Sequence, residues 1–102
     1  MEWYNYLAFF FAGVFFANTV PHFVKGISGD KFPTPFAKPP GKGLSSPLVN
    51  VLWGGFNLAI GFILFSAGKI QEGNYWGWII FFAGIMAIST PMSISFSKKD
   101  KE

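Results

Sequence analysis

The eight lysines and five acidic residues of this 102-residue chain are confined to four short stretches, and that placement constrains the fold more than any motif does. The charges fall within Met1–Glu2, Lys25–Lys42, Lys69–Glu72 and Lys98–Glu102. Between them, Trp3–Val24 (22 residues), Gly43–Gly68 (26) and Gly73–Ser97 (25) carry no Asp, Glu, Lys or Arg. A soluble domain spreads charge along every element to solvate one face. A membrane span needs about 20 mostly apolar residues to cross roughly 30 Å of hydrocarbon, and each gap is long enough. The pattern argues against a soluble globular domain and a disordered chain, and the absence of cysteine argues against a disulfide scaffold. Zero cysteine also removes thiol catalysis, Fe–S clusters and cysteine-ligated zinc. The mean hydropathy of +0.38 understates the case, because a polar Pro- and Lys-rich segment dilutes it. The net charge of +3 does not point to nucleic acid. Every cationic residue is lysine, and arginine supplies the planar bidentate contacts of base and phosphate readout.

The expected fold is an all-α integral membrane protein with three transmembrane helices, forming a single membrane domain over 1–102. The first span covers about 3–20. Its acidic start, Met1-Glu2, and the failed small-x-small pattern at Phe15-Phe16-Ala17 are unlike a cleaved signal peptide. It is expected to end near Val20, because the residue before Pro21 is pushed out of the helical region. A connection over 21–46 follows, and 21–47 holds six of the seven prolines. Its rings, Phe23, Phe32 and Phe36, are unlike simple disorder. Such a segment suits the membrane interface, a polyproline strand docked on a partner, or a cover across the inner mouth of its own bundle. Ser46 as N-cap and Pro47 at the first helical position start a second span over 47–67, with Gly68 as its stop. A short turn, Lys69 to Asn74, leads to a third span over 75–96, making helices two and three an antiparallel hairpin. Pro91 predicts a kink or an early end there, and 97–102 forms a basic tail.

Three spans put the long connection and the tail on one side, with seven of the eight lysines; only Lys69 lies opposite. The positive-inside tendency places the long loop and C-terminus in the cytoplasm and the N-terminus outside. The compact form is that expected of a bacterial inner-membrane protein.

A polar and small-residue stripe runs along the second span. Asn50, Gly54, Asn57 and Gly61 share one helical face, and Gly68 continues the seven-residue glycine interval. The third span has Gly77, Gly84 and Ala87, and the first has Asn5, Ala8 and Ala12, with Asn18 near its inner end. Lipid offers no hydrophobic gain for helix association, so packing relies on small residues and on polar groups that bond across. The stripe therefore holds the helices of one chain together, forms a homo-oligomer seam, or lines a polar pathway.

Chemistry is sparse. His22 is the one histidine, and a metal site or a haem needs more ligands than the chain offers it. It is expected to bond to backbone or to lipid phosphate. Acid–base catalysis needs a paired arrangement, which Asp30 and His22 alone do not make. No cofactor, metal or catalytic residue is expected, and the balance lies against an enzyme. The segment Gly41-Lys42-Gly43-Leu44-Ser45-Ser46 fails the phosphate-loop pattern, because Phe36 and Gly43 stand where Gly and Ser/Thr are required. Even so, the N–H groups of Gly41 and Gly43, the hydroxyls of Ser45 and Ser46, Lys42 and His22 gather near a helix N-terminus, which favours an anion such as a lipid phosphate. The expected role is association, as accessory subunit of a membrane complex or as a homo-oligomer, with the loop binding anionic lipid or a partner. A homo-oligomeric channel or carrier for a small molecule is the alternative, and a small lipid-acting enzyme the third.

Overall fold

The computed structural model describes residues 2–69 and 75–100. They form three helices, α1 (Trp3–Ile27), α2 (Pro47–Gly68) and α3 (Tyr75–Phe96), each long and apolar enough to cross a membrane. Of the turn expected between α2 and α3, all but Lys69 falls on residues outside the described set.

The first helix is longer than its sequence predicts. α1 passes through Pro21 and ends at Ile27, so its expected end near Val20 is corrected. The local bias against helix before proline is overridden by contacts made by the extra turns. An added Cβ on Gly26 would lie 2.8 Å from the Pro47 carbonyl oxygen, Phe23 packs on Gly54, and His22 bonds to Asn50. Ser28 then closes the helix, and its hydroxyl donates to the Val24 carbonyl. The connection to α2 is accordingly 28–46. α3 likewise continues through Pro91 to Phe96.

α1 is the hub, because both other helices pack against it. Along α2, Gly54 faces Phe23, Gly61 faces Phe16 and Gly68 faces Phe9, with Gly26 of α1 against Pro47 and Val51. A Cβ at Gly61 or Gly68 would stand 2.8 Å or 2.6 Å from a phenylalanine ring, so the glycines are the sockets that receive these rings. The α1–α3 crossing is closer still. Gly84 lies directly on the Phe10 carbonyl oxygen and Gly13 on that of Phe81, backbone against backbone. α2 and α3 meet through the ring of Phe65, with centroids 5.6 Å from Trp78 and 5.3 Å from Phe81. α3 is the most exposed helix of the three.

The ends of α2 differ in how they meet expectation. Ser46 caps the start as expected, its hydroxyl accepting from the Val49 N–H at 3.2 Å, with Pro47 in the first turn. At the other end Gly68 is the last helical residue, and the left-handed position falls on Lys69 at φ 54°. Gly68 is used for its lack of a side chain against Phe9, and Lys69 bears the conformational cost of the turn. A left-handed non-glycine residue costs on the order of 1 kcal/mol. Lys69→Gly is therefore expected to stabilise the protein by about 0.5 kcal/mol, after the larger entropy of glycine in the unfolded chain is deducted. An unchanged or lower thermal midpoint in detergent would contradict this.

Candidate functional site

The connection 28–46 folds across the ends of the helices as a cap. Phe32 and Ser45 pair as a two-residue antiparallel bridge, with N–H···O distances of 3.3 and 2.9 Å in the two directions. Inside the bridge, Ala37 and Gly41 N–H both donate to the Thr34 carbonyl, and Lys42 and Gly43 N–H to that of Pro39. The Thr34 and Ser45 hydroxyls share a 2.6 Å hydrogen bond. Phe32, Pro33, Thr34 and Ala37 are buried. The start of the tail joins the cap: Asp100 N–H donates to the Lys42 carbonyl at 3.0 Å, and Lys99 Nζ stands 5.9 Å from the Phe32 ring centroid. The segment thus packs over the ends of its own helices.

Asn50 is the pin that holds the cap down. It is fully buried, and its Nδ2 donates to the carbonyls of Phe32 (2.9 Å), Ser45 (3.2 Å) and Ser46 (3.1 Å). Its Oδ1 lies 2.9 Å from His22 Nδ1. Because the amide nitrogen is committed to carbonyls, Oδ1 must accept, and His22 Nδ1 must carry the hydrogen. The His22 ring is 2% exposed and sits edge-on to Phe32, Trp53 and Phe96, at centroid separations of 5.5, 6.4 and 6.1 Å. Two turns deeper along α2, Asn57 is paired with another amide. Asn18 Nδ2 donates to Asn57 Oδ1 at 3.1 Å, and Asn57 Nδ2 to the Trp53 carbonyl at 2.7 Å. Polar groups in hydrocarbon need such partners, and α1 supplies them at Asn18 and His22, four residues apart on one face.

Asn18 and His22 also line a small cavity of about 210 Å3 between the cap and the helix ends. Asn18, His22, Thr34, Trp53, Ser95 and Phe96 form much of its wall. The indole Nε1 of Trp53 is buried, shielded from the cavity as from solvent, with no hydrogen-bond partner among the described residues. Beside the cavity, and sharing Gly41 and Ser95 with it, a groove of about 470 Å3 opens on the outer surface. Lys42 and Lys98 stand over this groove, with Pro91 and Ile94 of α3 along it.

The residues singled out from the sequence are thus divided by the structure. Gly41 and Lys42 reach the groove, whereas the N–H groups of Gly41, Lys42 and Gly43 are spent inside the cap. Ser45 and Ser46 use their hydroxyls on Thr34 and on the α2 cap. His22 lies beneath the cap on Asn50. Asn50, Gly54, Asn57, Gly61 and Gly68 all face α1 or the cap, while Gly77 and Gly84 are the buried glycines of α3. Thr34, Trp53, Ser95 and Phe96 were not anticipated. Trp53 had a signal, since it stands three and four residues from Asn50 and Asn57 on the same helical face. No group of three or more His, Cys, Asp or Glu capable of holding a metal occurs among the described residues.

By fold this is a membrane protein with three apolar helices and a capped polar cluster at one end. No protein-family model matches the chain, and no curated protein and no solved structure matches it either.

Proposed function

We propose that this protein acts by association at the membrane, with its capped end facing the cytoplasm and holding the phosphate of an anionic lipid. The observation that carries this is the groove lined by Lys42 from the cap and Lys98 from the turn after α3, together with Pro91 and Ile94. Two ammonium groups at the end of an apolar helix, with apolar side chains running away from them, match a phosphate and the first segment of an acyl chain. The lysine asymmetry supports the cytoplasmic placement of the cap, and helices α2 and α3 are read as the two arms of an antiparallel hairpin. The glycine stripe supports action through outer surfaces, because its sockets are filled by Phe9, Phe16 and Phe23 of the same chain. The exposed face of α3 is where a larger complex or a second copy would join.

Basic residues near an anionic surface contribute about 1 kcal/mol each. Lys42→Ala with Lys98→Ala is therefore expected to weaken retention of anionic lipid by roughly tenfold or more. The comparison is Lys25→Ala with Lys38→Ala, which removes the same charge from exposed positions that do not line the groove. Native mass spectrometry with lipid titration reads both. Equal losses in the two double variants would mean that diffuse surface charge is responsible and would overturn the assignment to the groove.

A further inference from the structure

A pocket of about 340 Å3 at the capped end is lined by charges of both signs, and it shares no residue with the lysine groove. Lys25 comes to it from the last turn of α1, Asp30, Lys31 and Phe32 from the segment that follows, and Lys99 and Asp100 from the tail. Both acidic positions are fixed through the backbone. The Asp30 N–H donates to the Lys25 carbonyl at 2.9 Å, and the Asp100 N–H to that of Lys42 at 3.0 Å. Among the described residues, no ion pair closes between Asp30 or Asp100 and Lys25 or Lys99. The fold thus gathers ammonium groups and carboxylates around one opening from two distant parts of the chain without joining them to each other. A purely anionic ligand would meet repulsion from Asp30 and Asp100, and a purely cationic one from the lysines. A ligand that carries a phosphate and an ammonium together is attracted by both sets.

We propose that this pocket is a second headgroup site, which takes the phosphoethanolamine group of phosphatidylethanolamine. The lysines hold the phosphodiester, and Asp30 and Asp100 accept from the ammonium. A primary ammonium brings three N–H donors to carboxylates, whereas a quaternary one brings none and is recognised instead by a cage of aromatic rings. No such cage is built here. Phe32 is the one ring in the wall, and Lys99 Nζ already stands 5.9 Å from its centroid while bonding to the Phe96 carbonyl at 3.4 Å. The lipid source follows from position, because the pocket lies at the end of α1 and just beyond α3, where headgroups border the apolar helices. Its volume is at the lower end of the roughly 300–1,000 Å3 of small-ligand pockets, which suits a headgroup with its acyl chains left outside. The site shares with the groove the placement of the capped end at the membrane surface, but none of its residues.

Phosphatidylethanolamine and its N-methyl, N,N-dimethyl and N,N,N-trimethyl forms stay zwitterionic while their N–H donors fall from three to none. In lipid titrations of the full chain in detergent, read by native mass spectrometry, retention should fall along this series. The loss should reach about fivefold at the trimethyl form, phosphatidylcholine, the worth of one or two ion pairs at a surface. Asp30→Asn with Asp100→Asn leaves the backbone hydrogen bonds in place and should bring the series level. Lys42→Ala with Lys98→Ala should leave the preference standing, because neither residue lines this pocket. Glycerophosphoethanolamine, the same headgroup without tails, should compete only at far higher concentration, and competition at equal concentration would overturn lipid as the source. Equal retention of the whole series by the unaltered chain would overturn the headgroup site while leaving the lysine groove untouched. A preference that survives the two aspartate substitutions, or that disappears with Lys42 and Lys98, would take the ammonium out of this pocket and overturn the proposal.

Discussion

Replacing Asn50 by alanine is expected to release the cap and cost the protein about 2–4 kcal/mol. The residue makes four side-chain contacts, with His22 and with three carbonyls of the connection. The carbonyls of Phe32, Ser45 and Ser46 keep their backbone donors, Ser45, Phe32 and Asn50 N–H, when the side chain is removed. The buried Nδ1 hydrogen of His22 keeps nothing, and it dominates the loss. Asn50→Asp should be no better, because it retains an acceptor for His22 but loses the donors and buries a charge. The chain has no cysteine, so a single reporter can be placed without interference. Ala37→Cys sits in the cap at 7% exposure, where the substitution adds little bulk. In the otherwise unaltered protein this thiol should resist a water-soluble maleimide, and in the Asn50→Ala background it should react rapidly. If labelling is equally slow in both, Asn50 does not hold the cap.

The second large effect is expected at the α1–α3 crossing. Gly84 rests on the Phe10 carbonyl oxygen, so the methyl of Gly84→Ala meets backbone that no rotamer change can move aside. The helices must part, at a cost of about 2–3 kcal/mol typical of overpacked sites. Parting also strains the ring contacts that hold α3, those of Phe81 with Phe16 and Phe65, of Trp78 with Phe65, and of Phe96 with His22 and Phe32. Gly55→Ala is the matched control. A Cβ there meets nothing within 4 Å, and alanine favours helix by about 0.8–1 kcal/mol over glycine. Thermal unfolding followed by intrinsic fluorescence should show Gly84→Ala well below the unaltered protein and Gly55→Ala at or above it. Two midpoints that move together would mean that close approach is not what Gly84 provides.

Much of this architecture is legible in the order of residues, and the rest fails for identifiable reasons. The absence of charge gives the spans, because a lysine or aspartate within hydrocarbon is too costly to place casually. Ser46-Pro47 gives the start of α2 through local hydrogen bonding alone. The glycines of α2 announce close packing, although their spacing does not say which helix fills them. The continuation of α1 past Pro21 could not be read locally, since it is fixed by Gly26 against Pro47 and by His22 against Asn50, 28 residues away in sequence. The placement of α1 at the centre was hidden for the same reason. A short turn draws attention to the neighbours α2 and α3, whereas the closest backbone crossing joins α1 to α3 across most of the chain. The Trp53 donor is invisible in sequence, because a lone tryptophan near an interface is ordinarily an anchor with its N–H in water.

The cap closes on residues from the far end of the chain. Phe96 packs its ring 4.7 Å from that of Phe32, and Asp100 bonds to Lys42, so the lid over the cavity is finished by the end of the third span and the residues just after it. During synthesis α1 and α2 can meet and pair Asn18 with Asn57 before α3 exists. The wall contributed by Ser95 and Phe96 cannot form until α3 has been inserted alongside α1. The chamber under the cap is therefore a late product of assembly, and its appearance reports that all three helices have reached their places.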